Sequence, residues 1–133
     1  MRSRAGAHRL VGNIGWAAIA AALLLSLGAA CAAAEKSKRL SGSQIRAKFA
    51  GMQLTDEVHW RDVYERDGTL RSYSMGRKQV GKWRVEKDEL CLDLPEPDGG
   101  CFEVASTATG FVLTARGGGQ TLEGVLEPPY DHR

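Results

Sequence analysis

The sequence predicts a mainly β fold, a small antiparallel up-and-down barrel or sandwich of seven to eight strands with one short N-terminal helix. After Gly51 the apolar residues alternate with polar ones at a period of two, as in strands that are buried on one face. Turn residues recur about every eight to twelve positions, a spacing typical of antiparallel all-β domains. Two cysteines, Cys91 and Cys101, could staple so small a domain.

Residues 1–34 have the pattern of a secretory signal peptide. A basic start without acidic residues precedes an apolar stretch from Trp16 to Ala30, and the small residues Ala32–Ala34 stand before Glu35. A signal peptidase needs small side chains just before its cut. We therefore expect a periplasmic or secreted protein whose mature chain begins at Glu35.

Two other interpretations of this segment stay open. In a lipoprotein signal, Cys31 would become the first residue and carry lipid, although Gly28 stands where that signal has a large aliphatic residue. The 21 residues from Ile14 to Ala34 would also suffice for an uncleaved anchor, since a bilayer needs about 20. A buried core helix is disfavoured by the basic start. We expect membrane association only if Cys31 is lipidated.

The charge of the mature chain excludes one class of partner. All 16 acidic residues follow residue 34, whereas three of the 18 basic residues precede it, so 15 basic residues face 16 acidic ones. Charges of both signs are interleaved, and no extended basic run is present. We expect no nucleic-acid partner, because such proteins carry a concentrated basic surface.

The mature chain divides into three parts. Residues 35–40 are expected to be a charged spacer, residues 41–129 a single β domain and residues 130–133 a polar tail. Ser41 and Gln44 form a capping box, with Leu40 and Ile45 placed as a hydrophobic staple. This predicts a short helix from Gly42, ended by Gly51 in the left-handed conformation.

Eight strands and their connections follow from the alternation and the turn residues. The predicted strands are Met52–Thr55, Val58–Arg66, Thr69–Met75, Val80–Lys87, Glu89–Leu94, Cys101–Thr107, Phe111–Arg116 and Thr121–Glu127. The predicted connections are a type I′ turn at Asp67–Gly68, a turn over Gly76–Gln79, a tight turn at Lys87–Asp88, a loop over Pro95–Gly100 and the glycines Gly117–Gly119.

The two cysteines of the mature domain predict one disulfide. Cys91 alternates with Leu90 and Leu92, and Cys101 precedes Phe102, so both cysteines face away from the apolar side, outside the core or at its rim. A disulfide there is worth about 2 to 3 kcal/mol in the chain-entropy model. Two free thiols and a metal-binding pair are the alternatives, and the metal pair lacks further ligands.

No catalytic, cofactor or metal site is expected. The chain has no Gly-x-Ser-x-Gly motif, and a disulfide-bonded cysteine cannot act as a nucleophile. His59 is interpreted as a solvated residue and His132 lies next to the chain end. Carboxylates among basic neighbours are interpreted as surface charge; they are Asp62, Glu65, Glu86 and Asp88.

Aromatic residues on neighbouring strands form the remaining candidate site. They are Trp60, Tyr64, Tyr73, Trp83, Phe102 and Phe111. Such residues could line a barrel that holds one apolar ligand, or they could fill its core. We favour the filled core, because the domain is small and has few aromatics.

Several short segments also carry a family resemblance. They are Ser41–Arg46, His59–Trp60, Asp67–Thr69, Ser74–Gly76, Gly81–Val85, Leu90–Leu92 and Cys101–Val104. In these the chain resembles a family of small secreted alphaproteobacterial proteins of unknown function, most specifically in the Gly-x-Trp strand followed by two spaced cysteines. The resemblance implies a periplasmic, lipocalin-like or related β architecture and no activity.

The expected function is therefore that of an exported, noncatalytic β domain. It would bind a small apolar ligand or a periplasmic partner protein. The alternative is an envelope structural or stress protein anchored by lipid at Cys31. A small hydrolase or isomerase is disfavoured, because only His59 and scattered carboxylates would support it.

Overall fold

The computed structural model describes residues 36–130, which form one helix and nine strands. The predicted signal peptide with Cys31, and residues 131–133 of the predicted tail with His132, lie outside these residues. The elements are β1 (Lys38–Arg39), α1 (Gly42–Phe49), β2 (Met52–Thr55), β3 (Trp60–Tyr64), β4 (Thr69–Ser74), β5 (Arg77–Glu86), β6 (Glu89–Asp93), β7 (Gly100–Ser106), β8 (Phe111–Ala115) and β9 (Thr121–Glu127).

Strands β2 to β9 form a closed antiparallel barrel of eight strands. Each strand pairs with the next one along the chain, and β9 pairs back with β2 from Gln53 opposite Glu127 to Thr55 opposite Val125. The closure confirms the predicted up-and-down barrel and decides against a sandwich. It also gives every strand of the barrel a partner on both sides over part of its length, which protects the strand edges.

The segment predicted as a charged spacer contributes a ninth strand. Lys38 and Arg39 pair with Ser106 and Ala105 of β7, alongside the stretch of β7 that follows its pairing with β6. The next residue, Leu40, is buried and donates its backbone N–H to the carbonyl of Val104 at 2.8 Å. β1 thus leads the chain directly into α1.

α1 closes one end of the barrel. Ser41 and Gln44 form the predicted capping box, and Gly51 takes a φ of 80° after the last turn. Phe49 is buried, with its ring edge-to-face to Tyr64 at 5.2 Å and to Phe111 at 5.6 Å between centroids. α1 has eight residues, and no helix in the described part of the chain is long and apolar enough to cross a membrane.

Two predicted turns were wrong in detail. At Asp67–Gly68 only Gly68 has a positive φ, of 91°, because the hairpin has four residues between its strands and uses a turn in which Gly68 donates to the Glu65 carbonyl. The turn predicted over Gly76–Gln79 is confined to Met75–Gly76, where both residues have positive φ. β5 therefore begins at Arg77, and Gln79 lies within a strand.

Candidate ligand-binding site

The register of β3, β4 and β5 arranges their inward-facing residues in three rows. The first row is Tyr64, Leu70 and Gly81, the second is Asp62, Ser72 and Gln79, and the third is Trp60, Ser74 and Arg77. Tyr64 contacts Phe49 of α1, so the first row lies nearest the helix. The third row, here called the mouth row, lies farthest from it. Asp62 is thus one row beneath the mouth of the barrel.

Asp62 does not belong to the surface, so its interpretation as surface charge was wrong. The residue is 5% exposed. Its alternation with Trp60 and Tyr64 already placed it on their face, and that face turned out to be the inner one. Burial raises the pKa of Asp62 to about 6, a hydrogen bond with Ser72 lowers it, and the charge of Asp98 raises it.

Two polar atoms near Asp62 are buried without a hydrogen-bond partner in the described part of the chain. They are the hydroxyl oxygen Oη of Tyr64 and the amide oxygen Oε1 of Gln79. The amide nitrogen of Gln79 donates to Asp98 Oδ2 at 2.8 Å, which orients the amide and leaves its oxygen unpaired. Each unsatisfied buried polar group costs about 1–3 kcal/mol. A group that supplies hydrogen bonds at this place would recover that cost.

These residues form one acceptor-rich group, here called the Asp62 cluster. Its members are Asp62, Tyr64, Ser72, Gln79 and Asp98. Burial, and secondly the charge of Asp62, raise the pKa of Tyr64, so its hydroxyl stays protonated. None of the ion pairs between residues 36 and 130 includes Asp62 or Asp98. The cluster therefore holds two carboxyl groups without an ion-paired cation from these residues.

A groove in the barrel wall contains two members of the Asp62 cluster. β6 pairs with β5 only from Lys82 to Glu86, so the first half of β5 has no strand on that side. Arg77–Val80 and Pro95–Asp98 instead line an open groove of about 660 Å³. Gln79 and Asp98 belong both to this groove and to the cluster. The groove volume lies within the roughly 300–1,000 Å³ of small-molecule sites.

The predicted aromatic residues mostly fill the barrel. Tyr64, Trp83 and Phe102 are buried, and Phe111 packs against the core. The Trp83 indole nitrogen donates to the Glu65 carbonyl at 2.8 Å, which fixes that side chain in the wall. Trp60 is half-buried in the mouth row, and Tyr73 lies on the outer face. The end of the barrel near α1 is therefore occupied by side chains.

The predicted disulfide is confirmed on the outer side of the barrel. Cys91 of β6 and Cys101 of β7 are directly opposite in the strand register and are bonded. Cys91 is nevertheless buried. The Glu89 carboxylate lies within 4.8 Å of both sulfurs and pairs with Arg116, but sulfurs in a disulfide are not thiolate ligands for a metal.

His59 lies in the β2–β3 loop and contacts Asp56 there. Its exposed ring places Nδ1 2.8 Å from Asp56 Oδ2. The same aspartate accepts the backbone N–H groups of Val58, His59 and Trp60. Desolvation acts to raise the pKa of Asp56, yet these hydrogen bonds hold it well below its ordinary value. The histidine and the aspartate therefore brace a turn between two strands.

A second groove lies beside this loop, on the outer side of the barrel. It has a volume of about 200 Å³ and is lined in part by Val58, Met75 and Tyr130, all three of which are exposed. Val58 is 79% and Met75 is 75% exposed. The guanidinium of Arg61 stacks 4.0 Å from the centroid of the Tyr73 ring at the same place.

Sequence reasoning missed the site because only part of it has a local signal. Asp62 alternates with Trp60 and Tyr64, which assigns its carboxylate to the face of these two aromatic residues but does not show that this face is the inner one. Gln79 and Asp98 carry no comparable signal, since one was placed in a turn and the other in a loop. Their approach to Asp62 depends on the curvature of the barrel.

Comparison with known proteins identified no relative of this chain. No protein-family model, curated protein or solved structure matches the chain, so the resemblance to small secreted alphaproteobacterial proteins stays a prediction.

Proposed function

We propose that this protein is an exported, noncatalytic binding domain that takes a small polar ligand at the mouth of its barrel. The observation that carries the proposal is the pair of unsatisfied buried atoms, Tyr64 Oη and Gln79 Oε1, beside the buried carboxyl group of Asp62. Native proteins seldom leave such atoms unpaired unless a ligand or water completes them. The disulfide agrees with an extracytoplasmic location.

The site favours a polar ligand over the apolar one expected from the sequence. Side chains of Phe49, Tyr64 and Phe102 fill the interior near α1 and leave little room for an apolar molecule. The groove at Gln79 and Asp98 is open, and its charged and polar side chains share the lining with Val80, Pro95 and Pro97. A ligand bound there would make hydrogen bonds rather than replace core packing.

A binding role also fits the site better than catalysis. Acyl or phosphoryl transfer needs a nucleophile beside a base, and the Asp62 cluster offers carboxyl groups, an amide and hydroxyls without a histidine or a thiol. His59 is engaged with Asp56 in the β2–β3 loop. A cluster of acceptors that surrounds a buried acid is suited to recognition of hydrogen-bond donors.

The proposal is tested by screening small polar fragments against the mature domain by NMR. We expect shifts in the amide group of Gln79 and the backbone of Asp62, and loss of binding in Gln79→Met, which keeps the length of the side chain but removes the acceptor. Gln120→Met, at an exposed loop position, is the matched control and should bind as the wild type does. Absence of any shift in the mouth and second rows across the library would refute the proposal.

A partner protein is the second candidate, favoured by the outer groove at Val58, Met75 and Tyr130. Exposed apolar side chains beside a stacked arginine are typical of protein interfaces. Arg61 and Lys78, which lie over the Tyr73 ring, enter no ion pair within residues 36–130, so the partner would present an acidic surface.

This second candidate is tested by capture from the periplasm of the host. The double variant Val58→Asp/Met75→Asp should lose the captured partner. Val80→Asp should retain it, since Val80 is also exposed but lies outside this groove. Equal capture by all three proteins would exclude the groove as the interface.

A further inference from the structure

The Asp62 cluster supplies hydrogen-bond acceptors and two carboxyl groups, and a ligand would have to supply hydrogen-bond donors and positive charge. Asp62 contributes a carboxyl group, Gln79 an unpaired amide oxygen and Tyr64 an unpaired hydroxyl oxygen. Asp98 adds a second carboxyl group, which already accepts a hydrogen bond from the Gln79 amide nitrogen. No ion pair among residues 36–130 includes Asp62, and its strand neighbours are uncharged: Leu54 is opposite on β2 and Ser72 is opposite on β4.

We infer that the Asp62 cluster binds the primary ammonium group of a small amine or amino acid. The inference rests on the proposed function and names the class of its ligand. An ammonium group carries three N–H donors and one positive charge. The cluster offers three acceptors to match: the Asp62 carboxylate, Gln79 Oε1 and Tyr64 Oη.

A metal ion fits these residues less well than an ammonium group. Calcium takes about six to eight oxygen ligands, and magnesium demands nearly ideal octahedral geometry. The cluster has two unpaired neutral oxygens, the Asp62 carboxyl group, which is hydrogen-bonded to Ser72, and the Asp98 carboxyl group, which accepts from Gln79. An ammonium group needs only three acceptors and keeps its charge at neutral pH.

Arg77 in the mouth row distinguishes two kinds of ligand that carry an ammonium group, a simple amine and an amino acid. Arg77 stands in that row, one row above Gln79 and two residues before it on β5. It is exposed and enters no ion pair within residues 36–130. A carboxylate on the ligand would meet Arg77 when the ammonium group reaches Asp62. An amino acid would therefore contact both Asp62 and Arg77, whereas a simple amine would contact only Asp62.

Binding should be linked to the proton on Asp62. The charged and titratable groups facing this carboxyl group are Asp98 from the β6–β7 loop and Tyr64 from its own strand. An ammonium ligand favours the ionised carboxylate, so at a pH below about 6, where Asp62 is mostly protonated, a proton leaves it to solvent when the ligand binds. Affinity should consequently fall as the pH drops below the pKa of about 6.

The experiment is an NMR titration of the mature domain that follows the side-chain carboxyl carbon of Asp62. The probes are ethylammonium, alanine, neutral propanol and calcium chloride, each at pH 7.5 and pH 5. We expect ethylammonium and alanine to shift this signal, with about tenfold weaker binding at pH 5, and propanol and calcium to leave it unchanged. Arg77→Gln should weaken alanine but not ethylammonium if the amino acid is the source.

Two matched asparagine variants test whether the Asp62 carboxyl group holds the ammonium group. Asp62→Asn should lose ethylammonium binding by about tenfold or more, whereas Asp93→Asn, on the exposed outer face, should not. Binding of propanol as strong as that of ethylammonium, or binding of calcium alone, would overturn the ammonium inference and leave the proposed function standing. No response of Asp62, Gln79 or Tyr64 to any probe or polar fragment would overturn both.

Discussion

The two ends of the barrel interior are built on opposite principles. Near α1, the rings of Phe49, Tyr64 and Phe111 meet edge-to-face and leave no exposed apolar surface on Phe49 or Tyr64. One row beneath the mouth, Asp62 and Gln79 are also inside, but they bring charge and unsatisfied polarity. The same strands, two residues further along, thus change from a stabilising core to a destabilising polar layer.

The apolar end near α1 stabilises the fold, whereas the polar layer near the mouth is where we propose that a ligand binds. Burial of apolar rings lowers the free energy of the folded state, whereas a buried carboxyl group without a paired cation raises it. Proteins retain such costly groups mainly where binding or catalysis uses them. The comparison therefore supports our proposal that a ligand binds at the mouth, and changes at the two ends should have opposite effects on stability.

The largest effect is expected from Phe49→Ala at the packed end. The substitution removes a fully buried ring and leaves a cavity between α1 and the barrel, so the free energy of unfolding should fall by about 3–5 kcal/mol. Urea denaturation measures it, with Phe49→Leu as a milder variant if the alanine protein does not fold. Val80→Ala, at an exposed position, should change stability by less than about 0.5 kcal/mol.

At the polar layer, Asp62→Asn should stabilise the protein. The folded-state pKa of about 6 exceeds the ordinary value of 3.8, so the folded protein holds this proton more tightly than the unfolded chain does. Stability from this group is present below pH 3.8 and is lost as the pH rises through about 6. The asparagine variant should gain up to about 3 kcal/mol at pH 7.5 and almost nothing at pH 3.5.

The measurement is the free energy of unfolding as a function of pH, with Asp93→Asn as the control. Asp93 is exposed and pairs with Arg84, so its substitution should not produce the same rise between pH 4 and pH 7.5. A destabilised Asp62→Asn protein at neutral pH would mean that the carboxylate is compensated inside the barrel.

Removal of the disulfide should loosen β6, β7 and the loop between them more than it loosens α1. Cys91 and Cys101 join the two strands that flank the loop over residues 94–99. Cys91→Ser/Cys101→Ser should cost about 2–3 kcal/mol in the chain-entropy model. Hydrogen exchange should rise first in β6, β7 and their loop, while the amides of α1 should follow global unfolding. Uniform acceleration in all elements would contradict this local role.

The smallest expected effect belongs to the helix cap. Ser41→Ala removes the side chain that accepts the Gln44 N–H at 3.3 Å, and it should cost about 1 kcal/mol. Ser37→Ala, at an exposed position before β1, is the matched control. Thermal denaturation followed by circular dichroism measures both. Because α1 packs on the core, a loss equal to that of Phe49→Ala would show that the cap also controls docking of the helix.

Elements that depend on residues close together in the chain could be predicted from the sequence. Errors in these elements were confined to details such as the type of a turn. The start of α1 follows from Ser41 and Gln44, which lie three residues apart, and the left-handed Gly51 ends it. The turn at Asp67–Gly68 was placed correctly, but its type was wrong because the length of the loop, rather than the residue pair, determines which φ angles are positive.

The candidate site depended on contacts between distant parts of the chain. Asp62 could be assigned to the face of Trp60 and Tyr64, yet alternation cannot tell which face of a strand becomes the inside. Gln79 and Asp98 are 19 residues apart and meet only because β5 and the β6–β7 loop come together at the mouth. No pattern within either segment predicts that meeting.

By itself, the sequence predicted the short capped helix, the run of antiparallel strands and the pairing of Cys91 with Cys101. Capping and alternation act over short distances, and two of the three cysteines lie in the predicted mature domain. Only the tertiary structure decided that the sheet closes through β2 and β9 and that Asp62 lies inside it. The reason is that closure depends on the twist and register summed over eight strands. A residue's burial follows from that sum and not from its neighbours in the chain.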